Sequence, residues 1–125
     1  MPNLKILVVE DEPDGAEVVE MMLNSVNIDT TVAGSAEEAL QKLEEDADFD
    51  ALIIDLALPG MDGFELLGVV QGWQDIHHIP KIAITAFHTP ELKDKALEAG
   101  FDGYFAKPLD TTIFVGALER LLNGE

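Results

Sequence analysis

Apolar positions along this chain follow two rhythms that take turns. Residues 4–9 form a nearly continuous apolar run, the pattern of a parallel strand covered on both faces. Residues 13–24 then carry Ala16, Val19 and Leu23, with Val26 just beyond, at helical spacing. Residues 29–33 are a short β-branched run. Ser35 reads as an N-cap, with Glu38 three residues later completing a capping box. The helix behind it sets Ala36, Leu40 and Leu43 on one face. Residues 51–54 are a third apolar strand that stops on Asp55. The turn-rich stretch Leu58-Pro59-Gly60-Met61-Asp62-Gly63 leads into a helix from Phe64, weakened by Gly68 and Gly72. Asp62 reads as its N-cap, and Trp73 ends it against the following loop. Residues 81–86 are a fourth strand. Thr89-Pro90 opens a helix with proline at its first position, and Gly100 closes it. Residues 103–105 are a short fifth strand. Asp110 caps a last helix with Ile113, Phe114, Ala117, Leu118, Leu121 and Leu122 inward.

Five strands alternating with five helices predict right-handed βαβ crossovers and a parallel sheet with helices on both faces. No stretch reads as a linker or an internal repeat, so residues 1–125 are expected to be a single domain. Ligands of such sheets bind beyond the carboxyl ends of the strands. The residues standing there are Glu10-Asp11 after strand one, Asp55 on strand three, Thr85 on strand four and Lys107-Pro108 after strand five.

Composition narrows the chemistry. The chain has no cysteine, which excludes disulfides, thiolate metal sites and cysteine nucleophiles. No apolar run approaches the ~20 residues of a membrane span, and the start lacks a signal-peptide pattern; a cytoplasmic protein without membrane contact is expected. Seven basic residues face 25 acidic ones, a formal net charge of −18. That field opposes nucleic-acid binding and attracts cations and basic protein surfaces. Most of this charge reads as a solvated acidic surface.

If strands one, three, four and five lie side by side, three carboxylates, one hydroxyl and one ammonium converge on one crevice. Carboxylates held that close repel one another, and a hard divalent cation relieves the conflict. Oxygen-only ligands favour Mg²⁺, Mn²⁺ or Ca²⁺. The set suits phosphoryl transfer: Asp55 as carboxylate nucleophile, Lys107 as a point charge and Thr85 as a hydroxyl donor to phosphoryl oxygens.

These motifs resemble the receiver domain of two-component response regulators over essentially the whole chain. Ile6-Leu7-Val8-Val9-Glu10-Asp11-Glu12 is similar to the family's opening strand and acidic pair. Asp55-Leu56-Ala57-Leu58-Pro59-Gly60-Met61-Asp62-Gly63 is similar to the stretch around its phosphorylated aspartate. Ile84-Thr85-Ala86 resembles the switch threonine and the small residue after it. Tyr104-Phe105-Ala106-Lys107-Pro108 resembles the aromatic switch position, the lysine and its proline.

The resemblance implies a flavodoxin-like sheet of order 2-1-3-4-5. It implies that Asp55 takes phosphate from a phosphohistidine of a sensor histidine kinase or histidine phosphotransfer protein. It implies Mg²⁺, or Mn²⁺, held by Asp11, by Asp55, by the backbone carbonyl of Ala57 and through water by Glu10. Lys107 would bridge phosphoryl group and acidic cluster, with a cis bond to Pro108. Thr85 would swing toward the phosphate and Tyr104 would turn inward, a two-state element biased by a local charge. Output would pass through the fourth and fifth helices and the strand between them, where Lys93, Lys95, Tyr104 and Glu119 stand. The partner there would be a downstream protein, the chain's own output domain or, on phosphorylation, a second copy. A stand-alone receiver and a piece of a longer regulator are both compatible with the sequence. Turnover of outside substrates is not expected, only self-phosphotransfer and slow autodephosphorylation.

Two positions depart from what would speed phosphate loss. Ala57 and Phe87 stand two residues after the aspartate and the threonine, and neither can orient a water through a polar side chain. Slow hydrolysis is expected, with Phe87 partly shielding the phosphate. Leu58 in place of a methionine conserves volume. Ala57 also counts against an aspartyl phosphatase, which needs a second acid–base carboxylate at that position. The acidic run after strand one counts against a glycine-rich nucleotide or flavin loop. His77 and His78 read as loop residues, while His88 lies within reach of the rim of the site.

Overall fold

A computed structural model describes residues 4–123 of the chain, so Met1–Asn3 and Gly124–Glu125 of the expected domain lie outside it. The elements run β1 (Lys5–Val9), α1 (Pro13–Asn24), β2 (Asp29–Ala33), α2 (Ala36–Glu45), β3 (Ala51–Asp55), α3 (Gly63–Gln71), β4 (Lys81–Thr85), α4 (Pro90–Ala99), β5 (Gly103–Ala106) and α5 (Thr111–Leu122). All strands pair in parallel, in the order β2-β1-β3-β4-β5. This is the flavodoxin-like arrangement expected. No helix among the described residues is long and apolar enough to cross a membrane.

Alternate residues of each strand point to opposite faces, and the sheet accordingly builds two cores. Leu7, Val9, Leu52, Ile54 and Ala83 pack with Ala36, Ala39 and Leu43 of α2, with Leu66, Leu67 and Val70 of α3, and with Ala96 of α4. Ile6, Val8, Ile53, Ile82 and Ile84 pack with Val19 and Leu23 of α1 and with Phe114, Val115 and Leu118 of α5. Because the central strands are covered on both sides, β1, β3 and β4 read as runs rather than as alternation.

Some local expectations shift. Val26 is 39% exposed, because α1 ends before it at Ser25. Ile113 is 64% exposed on the first turn of α5; Val115 takes an inward place instead. Ser35 Oγ does accept from the Glu38 N–H, yet the Glu38 carboxylate reaches past the cap to the Gly34 N–H. The full reciprocal box stands on α3, where Asp62 and Glu65 exchange both bonds. Trp73 follows α3, partly buried against the core.

Gly63 fixes how α3 meets the sheet. A Cβ there would lie 2.6 Å from the Asp55 carbonyl oxygen and 2.8 Å from Leu56 Cα. Both are backbone atoms beside the site and cannot step aside. Gly63→Ala is expected to cost about 1–3 kcal/mol, the range for overpacking. Equilibrium denaturant unfolding measures it, and an unchanged midpoint would show that α3 can retreat without cost.

Candidate functional site

Register sets the site. Val9 pairs with Ile54, Asp55 with Ile84 and Thr85 with Ala106, so β1, β3, β4 and β5 end at one edge. Glu10, Asp55 and Thr85 are each at most 5% exposed there. These three side chains therefore stand together at the carboxyl edge of the sheet.

Lys107 ties the carboxylates together. Its Nζ lies 2.9 Å from Asp55 Oδ2 and 2.5 Å from Glu10 Oε1. The other Asp55 oxygen, Oδ1, accepts from the Ala57 N–H at 2.9 Å, which folds the chain after β3 back over the carboxylate. The Lys107–Pro108 bond is cis, as the resemblance implied. Thr85 Oγ1 is occupied by the Phe87 N–H at 3.0 Å. Tyr104 is half-buried and outward, its hydroxyl 2.8 Å from His88 Nδ1. The Phe87 ring is 71% exposed, so it stands at the rim without covering the site in this state.

Three carboxylates meet at this edge. Glu10, Asp11 and Asp55 each offer an oxygen within 4.8 Å of the others. Burial pushes the Glu10 carboxyl up to about 7, helped by the neighbouring Asp55 and opposed by Lys107. Burial works against ionisation of Asp55 as well, but Glu10, the Ala57 N–H and Lys107 outweigh it and hold Asp55 below the ordinary carboxylate range. Burial likewise opposes the Lys107 charge, and its bonds to Glu10 and Asp55 restore it, leaving the ammonium above the ordinary lysine range. Asp55 is thus held ionised beside a charged Lys107, and of the two carboxyls bonded to Lys107, Glu10 is the one that takes up a proton more readily.

The donor set fits a hard cation. Its atoms are all oxygens, and Glu10 Oε2 is buried with no hydrogen-bond partner. An acceptor so placed is what a cation, or a water bound to one, completes.

Two contributors escaped sequence reading. Gly15 was not singled out in the sequence; a Cβ there would overlap the Glu10 carboxylate, so the glycine makes room for it. A glycine in the first turn after an acidic strand end was the available signal. His88 stood only at the rim of expectation, and its bond to Tyr104 has no sequence signature.

The sequence profile of the response regulator receiver domain matches residues 6–119. The chain belongs to that family. This receiver domain is 31% identical to the chemotaxis protein CheY-3 of Vibrio cholerae over 120 residues, 95% of this chain and 92% of that protein. It is 34% identical to the response regulator PilR of Pseudomonas aeruginosa over 98% of this chain but 26% of that one. Among solved structures, the receiver domain of a sensor histidine kinase from Pseudomonas aeruginosa superposes with a TM-score of 0.88. The two share 29% identity over 97% of this chain and 98% of that one. That structure holds a magnesium ion coordinated in its active site cleft. Receiver domains are the phosphorylation-controlled modules of two-component signalling, and they generally bind Mg²⁺ at an acidic pocket.

Proposed function

We propose that Asp55 is the phosphoacceptor of a single receiver domain spanning residues 1–125. Its donor is a phosphohistidine of a sensor histidine kinase or histidine phosphotransfer protein. The observation that carries this reading is the buried Asp55 carboxylate held by Lys107 Nζ at 2.9 Å on the carboxyl edge of the sheet. In the reaction an Asp55 oxygen bonds to phosphorus as the P–N bond breaks. The electron pair stays on the imidazole nitrogen, which takes up a proton. The Ala57 N–H and Lys107 orient the nucleophile, and Lys107 is placed to meet the added negative charge.

Asp11, Asp55 and the Ala57 carbonyl would hold Mg²⁺ directly, with Glu10 acting through water; Mn²⁺ suits the same oxygen set. When bound, the ion shields the approach of two anions and neutralises phosphoryl oxygens. Thr85 then leaves Phe87 N–H for the phosphate, and Tyr104 turns inward. The readout is a changed affinity at the α4–β5–α5 surface, for a downstream protein, an output domain or a second copy. Lys93 and Glu119 stand exposed there, while Lys95 lies 4.6 Å over the Phe64 ring, turned toward α3. Incubation with Mg²⁺ and a small phosphodonor tests the reading by intact mass. One added phosphoryl group is expected, and none after chelation of the metal; uptake without metal would overturn the role given to the acidic cluster.

Metal binding should depend on pH with a definite sign. The folded-state value of Glu10, about 7, lies above its ordinary 4.5. The apo protein therefore holds a proton there that the unfolded chain releases, and loses this stabilisation as pH rises through about 7. That same proton competes with the cation. Stabilisation by Mg²⁺, read as the shift in Tm, is expected to grow from about pH 5.5 to about pH 8. A shift that shrinks over this range would contradict the assignment.

Phosphate lifetime is a further consequence. The side chains of Ala57 and Phe87 present no polar group to an attacking water. Ala57→Asn and Phe87→Asn are each expected to speed decay of the aspartyl phosphate several-fold, on the order of one hydrogen bond's worth of positioning. A decay assay with unchanged rates in both variants would count against slow hydrolysis by this cause.

A further inference from the structure

Two hydrogen bonds made by consecutive residues link Thr85 to Tyr104. The Phe87 N–H donates to Thr85 Oγ1 at 3.0 Å. The next residue, His88, bonds the Tyr104 hydroxyl through Nδ1 at 2.8 Å, with the rings 5.4 Å apart and tilted by 52°. Tyr104 sits on β5 opposite Ala83, one pleat before the position opposite Thr85, so both lie on the same face of neighbouring strands. Neither bond belongs to the sheet ladder. Together they make the turn after β4 a strap, fastened at one end to the Thr85 hydroxyl and at the other to Tyr104.

We infer that His88 is a positioning residue that latches the resting state by holding Tyr104 outward. The inference rests on the reading of Asp55 as phosphoacceptor. For Thr85 to serve a phosphoryl oxygen, Oγ1 must part from the Phe87 N–H. That frees the turn, displaces His88 and releases Tyr104. Linkage runs both ways: whatever breaks the His88–Tyr104 bond shifts the population toward the released form, and whatever draws Thr85 inward weakens the latch. The bond serves with either tautomer, since the phenol can donate to a bare Nδ1 or accept from Nδ1–H. His88 is exposed, so its removal leaves both cores intact.

The test compares wild type with His88→Ala, His88→Asn, Tyr104→Phe and the double variant His88→Ala/Tyr104→Phe. Asparagine can place an amide group near the position of Nδ1 and keep the bond. Two quantities are read: the rate of phosphoryl uptake from a small phosphodonor with Mg²⁺ in every chain, and, in the chains that keep Tyr104, the single tyrosine, its χ1 rotamer from Hα–Hβ couplings. His88→Ala and Tyr104→Phe are each expected to speed uptake about two- to tenfold, the span of one hydrogen bond's net contribution. The double variant should match the single ones, because both remove the same bond, and His88→Asn should return toward wild type. Unchanged rates, or single effects that multiply in the double variant, would overturn the latch. Should no chain take up phosphate, the reading of Asp55 fails instead. The latch then stands only if His88→Ala, and not His88→Asn, changes the Tyr104 rotamer, and it falls on any other result.

Discussion

Asp55→Asn is expected to abolish phosphoryl uptake while leaving a folded protein. The amide oxygen still accepts one of the bonds that Asp55 makes with the Ala57 N–H and Lys107, but an amide is no nucleophile toward phosphorus at neutral pH. Removing this charge also removes one cause that lifts Glu10, so the Glu10 carboxyl should ionise at lower pH than in the wild type. Uptake measured by intact mass should drop to background, and unfolding curves should show stability at least equal to wild type near neutral pH. Residual uptake at a wild-type rate would mean that another residue is the acceptor.

Lys107→Met is expected to have the second largest effect, on two separate observables. The methionine keeps the aliphatic bulk and deletes the ammonium that contacts Glu10 and Asp55. Removing one partner of a buried ion pair costs on the order of 3 kcal/mol, reduced here because the Lys107 side chain is 23% exposed. The loss should carry a pH signature. Without the ammonium the two carboxyls share a proton more tightly, so their folded-state binding rises above that of the unfolded chain. Stability is then retained at acid pH and lost as pH rises. Added Mg²⁺ should recover part of it. Phosphoryl uptake should fall on the order of 10²-fold, the effect of deleting one preorganised donor to developing charge. A variant as stable as wild type at about pH 8, with uptake unchanged, would remove Lys107 from the site.

Much of this was legible in the chain because the strands are short, apolar and end on charge. Runs such as residues 51–54 closed by Asp55 mark where a buried strand meets the edge of the sheet. That alone nominated Glu10, Asp11, Asp55, Thr85 and Lys107. The order of strands is different: periodicity says which face a residue takes, not which strand is its neighbour. The 2-1-3-4-5 order came from motif resemblance. Val26 and Ile113 were misplaced because helical spacing continues past the point where a helix stops or starts. Lys81 shows a further limit. A lysine at the head of a strand reads as solvated, yet it is 3% exposed and its Nζ donates to the carbonyls of Ile76 and His77. Burial lowers the Lys81 value below that of an ordinary lysine. The His88–Tyr104 contact was illegible for the same reason: it joins residues from different strands through a turn whose path no local pattern sets.

In the proposed reaction an ionised Asp55, flanked by Lys107 and by the acidic pair proposed to hold the cation, receives the phosphoryl group. Peptide mapping of the protein labelled by a small phosphodonor in Mg²⁺ addresses it directly. A single labelled residue, Asp55, is expected within the peptide that spans β3 and the loop to α3. Label on His77, His78, His88 or a surface hydroxyl, with Asp55 unmodified, would contradict it.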